Sequence, residues 1–317
     1  MMALWTRHAS RPLSLVHAKP PSSPRSSVLS AYATLAPCPV CGSRSFREKF
    51  GPIKQCRGCG LGMVNPLGDF PGENETEDYF VREYLPLLLV SREASRAERR
   101  SHIAAVSRRF ALPAAPRHLD IGCALGFMLE ESRRAGWNPV GVETSAFAAR
   151  YAAEHTGCPV HAGTLEQAAL PAASFDVVTL TDVIEHVPQP SGLLAEIYRV
   201  LRPGGVLLIV TPNFGSLFVR LYGLKAYGMW PDQHVIYFSR SSMTRLLRDS
   251  GFRRVLAGSK DFYAENLRRL WPGKPAPSEK IKQAFGKQAG FARARDFVNG
   301  ILLRVPIGDK LLALAQK

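Results

Sequence analysis

Four cysteines stand in two pairs, Cys38-Pro-Val-Cys41 and Cys56-Arg-Gly-Cys59, with fourteen residues between the pairs. Two such knuckles at that separation can set four thiolates around one tetrahedral Zn²⁺, and Gly42 and Gly60 behind them let the backbone turn tightly. Because all four positions are cysteine, no coordination position stays open for catalysis, and the zinc is expected to be structural. A second cluster, Asp182-Val-Ile-Glu185-His186, offers two carboxylates and an imidazole. Such a set can hold a divalent cation, bind substrate hydroxyls or move a proton, while the histidine can equally cap or pack at a helix start. His234 is a further base candidate; Tyr222, Tyr227 and Trp230 near it read equally as a substrate wall or as lid packing. Third is a glycine loop, Asp120-Ile-Gly122-Cys-Ala124-Leu-Gly126. A dinucleotide fingerprint would need GxGxxG, but the two later glycine positions counted from Gly122 hold Ala124 and Phe127, which argues against NAD.

Strands and helices that alternate strictly must position these groups. Arg117–Ile121 reads as a strand entering the glycine loop, 125–135 as a helix, 139–143 as a strand and 145–155 as a helix. Residues 159–162 and 175–181 follow as strands. A helical face at 193–201 ends at Pro203-Gly204-Gly205, and Val206–Val210 is the next strand. Alternation of this kind predicts a parallel sheet covered on both faces, with ligands at the carboxyl ends of its strands. A helix at 241–250, a strand at 253–256 and a final strand at 310–315 complete the pattern. Upstream, residues 91–110 read as a helix whose apolar face carries Ile103, Val106 and Phe110. Cys123 and Cys158 read as small buried hydrophobes.

The glycine loop resembles the first motif of class I S-adenosylmethionine-dependent methyltransferases, with Ala124 where glycine is usual. The resemblance extends through 113–260 and 307–317. It implies a doubly wound, Rossmann-like α/β fold with a seven-stranded sheet, mostly parallel with one antiparallel strand, preceded by a small zinc ribbon. In that family's pattern Asp120, Gly122, Ala124, Gly126 and Thr181 line the cofactor. Glu143, 23 residues after Asp120, would accept from both ribose hydroxyls, and Thr164 and Leu165 would lie at the adenine. Asp182-x-x-Glu185-His186 looks like the Glu-x-x-Glu-His segment of ubiquinone-pathway O-methyltransferases, with Asp182 in place of the first glutamate. The paired CxxC module, followed by Asn65-Pro66, Tyr79 and Tyr84, resembles the zinc-ribbon-bearing subgroup. The implied function is transfer of a methyl group to a small hydroxylated or carbohydrate-like acceptor, O-methylation being favoured. C-methylation of a nucleotide-linked sugar, an RNA-modifying enzyme and a non-catalytic cofactor-binding module are the alternatives.

Of the 317 residues, 46% are hydrophobic and 21% charged, enough apolar content for a large core and unlike a disordered or collagen-like chain. No apolar run approaches the roughly 18 residues of a membrane-spanning helix. The net charge of +15 lies mostly at the ends: residues 1–37 hold four Lys/Arg and no acid, and 251–317 hold fourteen basic against five acidic side chains. Solvated tails are the favoured reading over a nucleic-acid surface, although the C-terminal charge would suit a phosphorylated or lipid-linked acceptor and peripheral membrane contact. The expected organisation is a disordered basic extension (1–37), a zinc ribbon (38–66), a linker and helical cap (67–112) and a methyltransferase domain (113–317) with a basic helical insertion at about 261–306. The start of the chain has no signal-peptide pattern and only a passing likeness to a transit segment, so cytoplasm is the expected location.

Overall fold

The computed structural model describes residues 36–64, 85–86, 91–261, 305 and 307–317. Most of the expected N-terminal extension, most of the linker and nearly all of the 261–306 insertion lie outside the described residues, as do Asn65, Pro66, Tyr79 and Tyr84. Among the described residues no helix is long and apolar enough to cross a membrane.

The large sheet has seven strands in the order β10-β11-β8-β7-β4-β5-β6. These are β4 (Arg117–Ile121), β5 (Asn138–Glu143), β6 (Val160–Ala162), β7 (Phe175–Thr181), β8 (Leu201–Pro212), β10 (Arg253–Lys260) and β11 (Lys310–Gln316). β4 to β8 pair in parallel, and β11 runs antiparallel to both of its neighbours, β8 and β10. Alternation along each strand divides its side chains between two cores. Val206, Leu208 and Val210 face Ile103 and Val106 of α1 (Arg92–Ser107) and Phe110 just past its end; the helix stops short of the expected residue 110. Leu207 and Ile209 face the other way, onto Leu194 and Ile197 of α4 (Pro190–Val200) and Met243, Leu246 and Leu247 of α6 (Arg240–Asp249). Also among the described residues are α2 (Phe127–Arg134), α3 (Ala146–Thr156) and the short α5 (Leu217–Tyr222).

At two strands the expected boundaries move. α4 stops at Val200, and Leu201-Arg-Pro-Gly-Gly205 already belongs to β8 as a bulge against β7, where Phe175 pairs Leu201 but Val177 pairs Val206. Pro203 cannot supply the amide a helix would need there. β10 also runs on to Lys260, beyond the expected Leu256, because β11 pairs with it along that length.

The cysteine pairs flank a second, four-stranded antiparallel sheet, with Cys56 ending its second strand. Its strands are β1 (Phe46–Phe50), β2 (Ile53–Cys56), β3 (Gly62–Val64) and, from far along the chain, β9 (Ile236–Tyr237). Leu61 and Met63 are fully buried in the same core as Val235, Ile236 and Phe238.

Candidate active site and metal centre

The chain winds one way from β4 to β5 and the other way from β7 to β8, so the loops after β4 and β7 flank the point where an open α/β sheet takes its ligand. After β4 the backbone turns through Gly122 (φ +69°), Ala124 (φ +47°) and Gly126 (φ +81°) into α2. A Cβ on Gly122 would come within 2.4 Å of the Val183 side chain in the loop after β7, so only glycine fits between the two loops. Ala124 holds a left-handed conformation that disfavours an L-residue, and its amide donates to Glu143 Oε2 at 2.9 Å.

Glu143, at the end of β5, is buried and ties two loops together: its Oε1 accepts from the Ser145 amide at 2.9 Å while Oε2 takes Ala124. Asp120 is buried in β4 and accepts from Thr179 Oγ1 at 2.6 Å; that hydroxyl in turn accepts from His118 Nε2 at 2.8 Å. Burial pushes the Asp120 carboxyl up to about 7, against the opposing pull of the Thr179 hydrogen bond and the Arg99 charge. Burial likewise drives His118 down to about 3, so it is neutral and donates. This chain of three groups depends on the pairing of β4 with β7 and is not visible in local sequence. Thr181 ends β7 with its hydroxyl buried and without a hydrogen-bond partner among the described residues. Thr164 and Leu165 follow β6 in a turn where Gln167 Oε1 accepts from the Thr164 amide at 2.8 Å. Thr164 is exposed, whereas the Leu165 side chain is buried in the main core.

The loop after β7 gathers the second group. Asp182 has φ +55° and is exposed, while Glu185 is buried and accepts from Thr211 Oγ1 at 2.9 Å. Burial, reinforced by the Asp182 charge, raises the Glu185 carboxyl to about 8, so it is largely protonated at neutral pH. His186 donates its Nδ1–H to the Gln233 carbonyl at 3.0 Å, and His234 donates its Nδ1–H to the Gly228 carbonyl at 3.2 Å. The two rings meet edge to face at 4.9 Å. Although His186 keeps an exposed edge, the protein packed around it lowers its pKa from 6.5; burial lowers His234 further. Both imidazoles are therefore neutral, with Nε2 bearing the free lone pair. The ligating atoms of Glu185, His186 and His234 lie within 4.8 Å of one another. Of the expected cation cluster, this grouping keeps Glu185 and His186 and substitutes His234 for Asp182. Trp230 and Tyr227 do join His234, at 5.3 Å and then 5.0 Å, but Tyr222 stacks on Phe218 instead, at 6.0 Å.

Cations reach the same edge of the sheet from two strands and meet partners on α1, contacts that no local sequence pattern connects. Lys310 of β11 donates to Glu98 of α1 at 2.7 Å, and Lys260 of β10 donates to the buried His102 at 2.9 Å. Burial would lower Lys310, but the charges of Glu98 and Asp182 raise it.

Residues 95–257, just over half the chain, match the family model of the methyltransferase domain. The chain is a class I S-adenosylmethionine-dependent methyltransferase. It is 33% identical over 150 residues to the ubiquinone biosynthesis O-methyltransferase of Aromatoleum aromaticum, covering 44% of this chain and 64% of that one. Its counterpart from Hahella chejuensis is 38% identical over 114 residues, with 34% and 48% covered, so the match spans about half to two thirds of these relatives' length. The methyltransferase also shares its fold with a S-adenosylmethionine-dependent methyltransferase from Thermotoga maritima (TM-score 0.51, 22% identity, 75% and 96% covered). The site fits the family's cofactor. A tight left-handed turn with no room for a Cβ at Gly122, a carboxylate at the end of β5 and, at the end of β7, a buried hydroxyl with no partner among the described residues converge on the carboxyl edge.

The cysteine cluster fits a metal in its own way. Cys38 Sγ lies 3.5 Å from Cys59 Sγ, Cys41 Sγ 3.5 Å from Cys56 Sγ, and all four fall within 4.8 Å of one another. Zinc–sulfur bonds of about 2.3 Å in a tetrahedron set sulfurs about 3.8 Å apart. Both knuckles close alike, Gly42 N–H on the Cys38 carbonyl (2.8 Å) and Gly60 N–H on the Cys56 carbonyl (3.0 Å), with φ +68° and +81°. The hydrogen bond with Cys59, helped by the amides of Val40 and Cys41, lowers Cys38 to about 5. Cys123 and Cys158 are buried apart from this cluster.

Proposed function

We propose that this methyltransferase methylates a hydroxyl of a small acceptor, with His186 as the base that takes the hydroxyl proton. The observation that carries the reading is the fixed tautomer of His186: its Nδ1–H is held by the Gln233 carbonyl, which leaves Nε2 unprotonated at the mouth of β7. When bound, S-adenosylmethionine supplies a sulfonium methyl that is already strongly electrophilic, so the protein's work is alignment, removal of a proton and exclusion of water. Gly122, Ala124 and Gly126 would shape the cradle, Glu143 would take the ribose hydroxyls on its remaining lone pairs, and Thr181 would use its spare hydroxyl there. Asp120 acts from behind the loop, holding the end of β4 through Thr179. Thr164 and Leu165 stand where adenine would lie; the burial of Leu165 leaves backbone contact as its contribution. His234 packs its ring against His186, and with Trp230 and Tyr227 it walls the acceptor side. Zinc would sit on Cys38, Cys41, Cys56 and Cys59 as a structural ion. The O-methyltransferase relatives support oxygen as the acceptor atom.

A second reading is favoured by the three ligating groups of Glu185, His186 and His234: a divalent cation on them would bind and acidify the acceptor hydroxyl directly. Both histidines have the carbonyl-fixed Nδ1–H that metal-bound imidazoles favour.

A panel of phenols, vicinal diols, sugars and mixed RNA, assayed for S-adenosylhomocysteine release, tests the reading. Turnover confined to a hydroxylated small molecule, with the methyl found on oxygen, supports it; methyl transfer to carbon or nitrogen, or to RNA alone, refutes it. Loss of that turnover on dialysis that leaves the ribbon metal in place, with recovery on adding Mg²⁺ or Zn²⁺, would select the cation version.

A further inference from the structure

The cysteine ribbon is joined to the acceptor side by an unbroken set of contacts. Met63 pairs with Ile236 and Gly62 with Tyr237, and the Val64 amide donates to the Val235 carbonyl at 3.0 Å. Val235 directly follows His234, and its own amide donates to the Glu185 carbonyl at 2.9 Å. The peptide carrying one imidazole is thus clamped between the ribbon and the turn that carries the other. A second route runs through side chains. The end of the Phe214 ring occupies the place beside Gly62 where a Cβ would approach within 2.7 Å. Phe214 lies 5.9 Å from Tyr237, and Tyr237 lies 5.8 Å from His234. The ribbon is also hooked to α6, since Ser241 Oγ donates to the Cys59 carbonyl at 3.2 Å.

We propose that the ribbon is the positioning frame of the acceptor-side histidines, with Gly62 and Val64 as its positioning residues and the four-cysteine site as its anchor. β9 is two residues long and β3 three. Strands that short do not persist unless something holds their partner. In a small ribbon the metal supplies much of the order. With the ribbon closed, β3 fixes Val235 and hence the reach of His234 and Glu185; with it open, the 230–237 segment loses its clamp while the glycine loop and Glu143, held to each other through the Ala124 amide, keep theirs. The proposal deepens the reading of His186 and His234 as the acceptor side and rests on it.

The test follows the imidazole signals of His186 and His234 by NMR in ¹⁵N-histidine-labelled full-length protein, together with amide exchange at Val235. Gly62→Ala, carrying its full metal content and binding S-adenosylhomocysteine as the parent does, is expected to shift the His234 signals. It should also speed Val235 exchange about tenfold or more as that segment opens locally, while the His118 signals stay put. Gly62→Ala with Phe214→Leu, which shortens the ring end the new methyl meets, should restore both readouts. Stripping the metal from the parent chain should reproduce the His234 change with core amides such as Leu208 still protected. Unchanged His234 signals and unchanged Val235 exchange in Gly62→Ala, or after metal removal, would overturn the frame. Should Gly62→Ala not fold, metal removal from the parent decides. Failure of the underlying reading looks different: His234→Ala and His186→Ala would both leave turnover intact although the ribbon still moves His234.

Discussion

The two sides of the carboxyl edge spend their polar atoms differently. On the β4–β5 side the chain satisfies its own groups: Glu143 holds the amides of Ala124 and Ser145, and Asp120 holds Thr179. These carboxylates build a shape, and a ligand has only their remaining lone pairs to use. On the β7 side two imidazoles use one nitrogen each to fix their orientation and leave the other without a hydrogen bond among the described residues. An arrangement that ties up donors and acceptors serves binding by preorganisation; one that orients a base and leaves its lone pair open serves chemistry. Cofactor holding and proton removal are therefore expected to separate under mutation.

The widest separation should come from His186→Ala, which should slow turnover of an identified acceptor at least about a hundredfold with the affinity for S-adenosylhomocysteine unchanged, as measured by steady-state rates and calorimetry. Glu143→Ala should act on the other side. Losing a charged acceptor of two buried amides should weaken binding of S-adenosylhomocysteine by about 10- to 100-fold. Cys56→Ser should remove the bound metal, detected by elemental analysis, and lower the melting temperature by several degrees.

A smaller, pH-dependent effect marks the β7 side. Glu185 is at about 8 in the folded chain against an ordinary 4.5, so the folded state holds its proton more tightly than the unfolded one. The stability it contributes is complete below pH 4.5 and is lost as pH rises toward 8. Asp120 works in the same direction up to about 7. Below about pH 6.5 the buried, neutral His118, His186 and His234 impose the opposite slope, because the unfolded chain would protonate them. Melting temperatures should therefore fall between about pH 7 and 8.5, and Glu185→Gln should flatten that slope. Smallest of all, Ala124→Gly should stabilise by about 0.5–1 kcal/mol, since glycine takes the left-handed turn without strain; chemical denaturation would detect it.

The sheet was legible because strand and helix patterns alternate, glycine or proline stands beside β4, β6 and the apolar half of β8, and the spacing of Asp120, Glu143 and Asp182 marks the strand ends. The two-residue β9 has no pattern long enough to read, so its pairing with β3, and with it the union of ribbon and active site, could not be inferred from local sequence. The same holds for His118–Thr179–Asp120, which exists only once β4 lies beside β7, and for Glu98 with Lys310, which stand 212 residues apart. Histidine chemistry could be anticipated from Glu185-His186; the partnership with His234 depends on a turn around Gly228 and Gln233 whose carbonyls set both tautomers.

Calorimetric titration of S-adenosylhomocysteine into Glu143→Ala and His186→Ala, side by side with the parent, tests the division of labour most directly. The account predicts binding lost or much weakened in Glu143→Ala and unchanged in His186→Ala. Full-strength binding to Glu143→Ala, or its loss in a folded His186→Ala, would contradict it.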